Sequence, residues 1–121
     1  MSRSELAARR WLRIDAFYCA AAGALAVSLC VPLARFFDVP VGVVGGSGVA
    51  TIVWAWLLLR LAAGEHWREP LRLVGAANAA ASAGLAVLAA LSPAAGSRLL
   101  LVAVAIEVAA FAAVQLRTLR R

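Results

Sequence analysis

Polar residues along this chain do not alternate with apolar ones. They gather at intervals of about twenty residues and leave four long apolar stretches between them, at 14–33, 41–63, 71–91 and 97–116. Each stretch approaches the roughly twenty residues a helix needs to cross a hydrocarbon core about 30 Å thick. The breaks are made of turn and charge signals. Arg35 and Asp38-Val39-Pro40 close the first stretch, Gly64-Glu65-His66-Trp67-Arg68-Glu69-Pro70 separates the second from the third, and Ser92-Pro93-Ala94-Ala95-Gly96 precedes the fourth. Pro70 suits the first residue of a helix, where its missing N–H costs nothing. The pattern predicts one all-α domain over residues 1–121, an integral membrane four-helix bundle.

The second stretch opens on Val41-Gly42-Val43-Val44-Gly45-Gly46-Ser47-Gly48. In water such a run reads as a loop. In a bilayer it reads as a helix face approached closely by another backbone, and Gly42 and Gly46 form a GxxxG pair. These two glycines are therefore expected at a close helix contact, within the chain or across a homo-oligomer. No Gly-Lys-Ser/Thr follows, which excludes a phosphate-binding loop.

Composition agrees with burial in lipid. Apolar residues make up 64% of the chain and mean hydropathy is +0.90, against about 45–50% apolar in soluble domains. The net charge of +6 comes from twelve basic residues that are all Arg. With the high alanine content, this suggests a GC-rich bacterial genome and an inner (plasma) membrane location. Ten of the arginines fall in the N-tail, central loop and C-tail (Arg3, Arg9, Arg10, Arg13, Arg60, Arg68, Arg72, Arg117, Arg120 and Arg121), and only Arg35 and Arg98 in the other two connectors. That bias places both termini in the cytoplasm. Because the arginines sit at span ends rather than on one soluble face, the basicity is read as topology and not as nucleic-acid binding. The N-terminal segment reads as a retained first span, since no small-x-small cleavage site ends its long apolar run. Cys19 and Cys30, about 16 Å apart along one helix, are too far apart for a disulfide and read as small packing residues.

Few polar residues remain inside the spans, and they carry the functional reading. Glu107 lies near the middle of the fourth. A carboxylate at that depth is expensive to insert and ordinarily faces a bundle interior. With no cation at its depth, burial favours its neutral, proton-carrying form. Counting from the cytoplasmic ends places Thr51, Asn78, Ser82 and Glu107 in one layer, with Asn78 and Ser82 on one helix face. Asp15, Tyr18 and Gln115 form a second layer nearer the cytoplasm, edged by Arg13 and Arg117, with which Asp15 is expected to pair. Trp54 and Phe111 lie deep enough to line a cavity, whereas Trp11, Phe36, Phe37 and Trp67 fit an interfacial belt. For Asn78, Ser82, Thr51 and Gln115 the plain alternative is hydrogen bonding between helices. Glu65, His66 and Glu69 lack a fourth partner and read as a solvated loop, so no metal and no cofactor is expected.

Arg13-x-Asp15 opening the first span, Asn78 in the third and Gln115-Leu116-Arg117 closing the fourth resemble a group of small actinobacterial four-span membrane proteins. The resemblance implies fold and location and no reaction. In length, span number and a single membrane glutamate the chain is similar to small multidrug resistance transporters, although their glutamate lies in the first span. Its intramembrane acids and aromatics are similar to those of small membrane-bound terpene cyclases.

Two kinds of function are consistent with these residues. In the first, the protein binds a lipophilic small molecule such as an isoprenoid, or cyclises it by acid catalysis. Glu107 and Asp15 would be the acids, Asn78, Ser82, Thr51 and Gln115 would orient the substrate, and Tyr18, Trp54 and Phe111 would shield a developing cation. In the second, Glu107 exchanges its proton for a cation in a small transporter. A non-catalytic accessory subunit is the third reading.

Overall fold

The computed structural model describes residues 1–120; Arg121, one of the three arginines of the C-tail, lies outside them. The described residues form five α-helices and no strand: α1 (Arg3–Ser28), α2 (Cys30–Phe37), α3 (Val41–Ala63), α4 (Arg68–Leu91) and α5 (Ala95–Leu119). The all-α class holds. The helices divide between two compact units, one of residues 1–11 with 65–121 and one of residues 12–64.

In the first unit, α4 begins at Arg68 with Pro70 at its third position, inside the first turn, where an N–H has no intrahelical acceptor. Only Ser92, Pro93 and Ala94 separate α4 from α5. So short a connection makes the two helices antiparallel neighbours. Along α4, Leu71, Val74, Gly75, Asn78, Ser82, Leu85 and Ala89 recur at three- and four-residue spacing and are buried or half-buried, a stripe one helix face wide. Gly75 admits α5 closely, since a Cβ there would lie 3.0 Å from Leu116 Cδ2. The N-terminal start of α1 belongs to this unit too. Ser2 caps it by accepting the Glu5 N–H at its Oγ (3.1 Å), and the Arg9 guanidinium reaches Glu5 one turn on at 2.9 Å.

In the second unit the expected first span, 14–33, is not one continuous helix. The helix stops at Ser28, and α2 leaves at 86° to α1. Pro32 accounts for the break: it has no N–H for the Ser28 carbonyl, and its ring clashes with that carbonyl. The two ladders meet at Leu29, whose N–H still bonds Leu25 O at 2.9 Å while its carbonyl already receives Leu33 N–H at 2.9 Å. Asp38 ends α2 in the left-handed region (φ 55°, ψ 49°), and Val39 N–H returns to Ala34 O at 3.0 Å. Pro40 then caps α3, whose bounds, Val41–Ala63, are those expected.

Within the chain, the close glycine contact does not involve the expected pair. Gly42 and Gly46 are exposed, and a Cβ on either would meet nothing within 4 Å. The close approach is at Gly23 of α1 and Gly48 of α3. A Cβ on Gly23 would lie 2.7 Å from Gly48 O, and one on Gly48 would lie 2.9 Å from Gly23 O. A GxxxG match identifies a helix able to approach another but not which of its glycines does so. Here Gly48, Ala55 and Ala62, small residues seven apart, are buried together with Leu58.

Three helices, α3, α4 and α5, are long and apolar enough to cross a membrane, and α1 with α2 forms a fourth candidate only as a broken span. Large apolar side chains stand exposed on them, among them Trp56, Val87, Leu99 and Ile106. Apolar surface on that scale marks contact with lipid or protein rather than water.

Candidate functional site

The best-defined polar feature lies on the α4–α5 seam. Asn78 Nδ2 donates to Gln115 Oε1 at 3.0 Å, and both side chains are buried. One turn further along α4, Ser82 Oγ donates to the Ala105 carbonyl of α5 at 2.8 Å. Asn78 and Ser82 share a face, as expected, and that face meets α5. Gln115, however, was expected in a layer nearer the cytoplasm than Asn78. The offset has a simple cause. With Asn78 opposite Gln115, α4 starts about 9 Å beyond the end of α5 at 1.5 Å per residue. Equal counts from the two helix ends therefore do not give equal depth.

Glu107 is not on this seam. It follows Ala105 by two residues, about 200° around the helix, and its side chain is exposed rather than turned inward as expected. Phe111, one turn on, is half-buried. The α5 positions that sink into the protein are Ser97, Ala105, Ala112, Gln115 and Thr118, and Glu107 falls outside their stripe.

The candidates in the second unit have local partners. Asp15 is buried, and its Oδ1 accepts the Cys19 thiol one turn away at 3.5 Å. Thr51 Oγ1 donates to Ser47 O at 2.8 Å, and Ser47 Oγ to Val43 O at 2.7 Å, so both hydroxyls fold back onto α3 itself. Tyr18 and Trp54 are half-buried. Arginine stacks on tryptophan at both ends of the α3–α4 connection, with Arg60 over Trp56 at 5.3 Å and Arg68 over Trp67 at 4.8 Å. In the connection itself Glu65 and His66 are exposed, as is Glu69 in the first turn of α4. No three His, Cys, Asp or Glu side chains among the described residues gather as metal ligands.

A groove of about 390 Å³ runs between α4 and α5, lined by Ser82, Ala86, Ala90, Arg98, Val102 and Ile106 among others. A cleft of about 520 Å³ opens where the start of α1 meets the end of α5. Neither is bordered by Glu107 or by the aromatics expected beside it. Known proteins supply no guide. The chain matches no protein-family model, no curated protein and no solved structure. What the site offers is therefore set by its own chemistry. The amides and the Ser82 hydroxyl hold helices together, and the groove presents an apolar floor with one cation at its rim.

Sequence reasoning overlooked three features: the Gly23–Gly48 approach, the Cys19–Asp15 bond and the cleft beside Arg3. The first two leave legible signals, small residues seven apart and a thiol four residues after a carboxylate. The third joins the two ends of the chain and leaves none.

Proposed function

We propose that the protein is a four-pass component of a bacterial inner membrane, both termini cytoplasmic, that holds a lipophilic molecule along the α4–α5 groove. The observation that carries the binding reading is the groove itself. Alanines at 86, 89, 90, 105 and 109 leave a channel where larger residues would close the surface. Its volume falls in the range of small-molecule sites. Arg98 stands at the rim, its guanidinium anchored to Ser92 O at 2.8 Å. An apolar chain with an anionic or strongly polar head matches this layout. The topology is supported by the distribution of arginines over tails and connectors, and by Arg3 and Arg117, from the two ends of the chain, lining one cleft. Acid catalysis by Glu107 and exchange of its proton both require that carboxylate in a pocket, and its exposed position lends neither any support.

Filling the channel is the direct test. Native mass spectrometry of the protein released from its own membranes should find a lipophilic molecule on the wild type. Ala86→Leu with Ala90→Leu should lose it while keeping the helical content. Retention of nothing by the wild type, or equal retention by both proteins, removes the reading.

A second reading, an accessory subunit, is favoured by Glu107. A carboxylate exposed on the chain at mid-span is ordinarily covered by protein or water once in the bilayer, so this face of α5 would lie against a partner helix. A lipid-soluble photolabel in native membranes should then spare residues 103–110 while modifying Leu73 and Val87. Equal labelling of all of them would leave α5 facing lipid.

A further inference from the structure

We infer that the cleft between the N-terminal turns of α1 and the last turns of α5 is a binding site for the phosphate headgroup of an anionic phospholipid. It is separate from the α4–α5 groove and shares with the reading above only the membrane topology. The cleft, about 520 Å³, is lined by Arg3, Ser4, Ala7, Trp11, Arg117 and Thr118, among others. Arg3 and Arg117 bring two guanidiniums to it from opposite ends of the sequence, and neither forms an ion pair among the described residues. Glu5, on the same turn of α1 as Ser4, is already engaged by Arg9 at 2.9 Å. The charge of the cleft is thus left to its arginines.

The donors suit a phosphate. Guanidinium matches two phosphate oxygens at once. Ser2 accepts the N–H groups of Glu5 (at Oγ) and Leu6 (at its carbonyl), both at 3.1 Å. The amides of Arg3 and Ser4, the first two helical positions, have no intrahelical acceptor and carry the positive end of the helix dipole. The Thr118 hydroxyl is spent on Val114 O at 2.9 Å and adds no donor. The donor set is therefore Arg3, Arg117, the Ser4 hydroxyl and the first-turn amides.

The walls decide between a lipid and a free anion. Ala7 and Trp11 face the cleft from α1, and tryptophan belongs at the headgroup level of a bilayer. The end of α5 changes character here, passing from its apolar run, with Val114 in the wall, to Arg117 and Arg120. A ligand with a phosphate at one end and acyl chains at the other meets both surfaces. A free phosphate meets only one.

The test uses the full chain in mixed micelles of phosphatidylglycerol and phosphatidylcholine, with bound lipid counted by native mass spectrometry. Wild-type protein should retain phosphatidylglycerol selectively. Arg3→Gln with Arg117→Gln should weaken that retention on the order of tenfold. Arg10→Gln with Arg13→Gln, which removes the same charge outside the cleft, should weaken it clearly less, because it takes away general surface charge and no bidentate contact to the phosphate. Ala7→Phe keeps every arginine and should also abolish selectivity by filling the cleft, which covers the case in which the double arginine variant fails to fold. Equal weakening by both arginine pairs would reduce the effect to general surface charge and overturn the site. Displacement of the lipid by millimolar inorganic phosphate would assign the cleft to the free anion and overturn the lipid. The groove variant Ala86→Leu with Ala90→Leu should not alter phosphatidylglycerol retention, so failure of the groove reading and failure of this one are told apart.

Discussion

The two units hold their helices together by opposite means. Along the α4–α5 seam, contact is made by what side chains supply: an amide pair from Asn78 to Gln115 and a hydroxyl from Ser82 to the Ala105 carbonyl. Between α1 and α3, contact is made by what is missing, because Gly23 and Gly48 place each backbone within 2.9 Å of where the other's Cβ would be. In lipid no hydrophobic force drives helices together, so dispersion and hydrogen bonds must do it. The polar seam concentrates that attraction in a few replaceable bonds. The glycine contact spreads it over many weak atom pairs that all depend on one separation. The first is therefore expected to weaken in steps under mutation, and the second to fail at once.

The largest effect should come from the glycines. Gly48→Leu places a side chain against Gly23 O, a backbone atom that cannot swing aside. It should lower stability by roughly 3 kcal/mol, the upper end for overpacking, in unfolding titrations with denaturing detergent. A loss under about 0.5 kcal/mol, the level of a neutral surface change, would mean that the two helices adjust and that the contrast is false. Gln115→Leu comes next, with an expected cost of about 1–2 kcal/mol because it leaves the Asn78 amide buried beside a methyl group. Adding Asn78→Leu should recover part of that cost, with a coupling near 0.6 kcal/mol. Strict additivity of the two changes would show that the amides do not act as a pair. The smallest effect belongs to Gly42→Leu with Gly46→Leu, which should change the stability of the isolated protein by less than about 0.5 kcal/mol. Measured in native membranes by cross-linking, the same variant also asks whether these exposed glycines join two copies of the chain. Loss of a cross-linked dimer there, with unchanged stability, would give them that role.

These contrasts explain what could be read from the sequence. The bounds of α3 and the shared face of Asn78 and Ser82 were legible because each depends only on local signals, a capping proline or a spacing of four. Pro32 was equally visible. A count of apolar residues alone runs through it, whereas the missing N–H breaks the helix and the chain turns. Glu107 was assigned an inward position on the cost of exposing charge to lipid. That argument fixes the environment a carboxylate needs but not which neighbour provides it, and the α5 seam had already been taken by Ala105 and Gln115. The Asn78–Gln115 pair was missed because register between two helices is a tertiary quantity, invisible to counting along either one.

The break at Leu29 has a mechanical consequence for the four-pass proposal. Turned through 86°, α2 adds almost nothing to the depth that α1 can reach, and residues 12–28 rise only about 26 Å at 1.5 Å per residue. By the same rule the apolar stretch of α5, 97–116, rises about 30 Å. One crossing would thus be shorter than the average hydrocarbon core and another would match it. The surrounding lipid would have to compress beside the first and not beside the second. Elastic strain of this kind costs fractions of a kcal/mol per ångström and is relieved in thinner bilayers. Membrane thickness would then act on this protein as temperature acts on others, shifting its stability without touching a single residue.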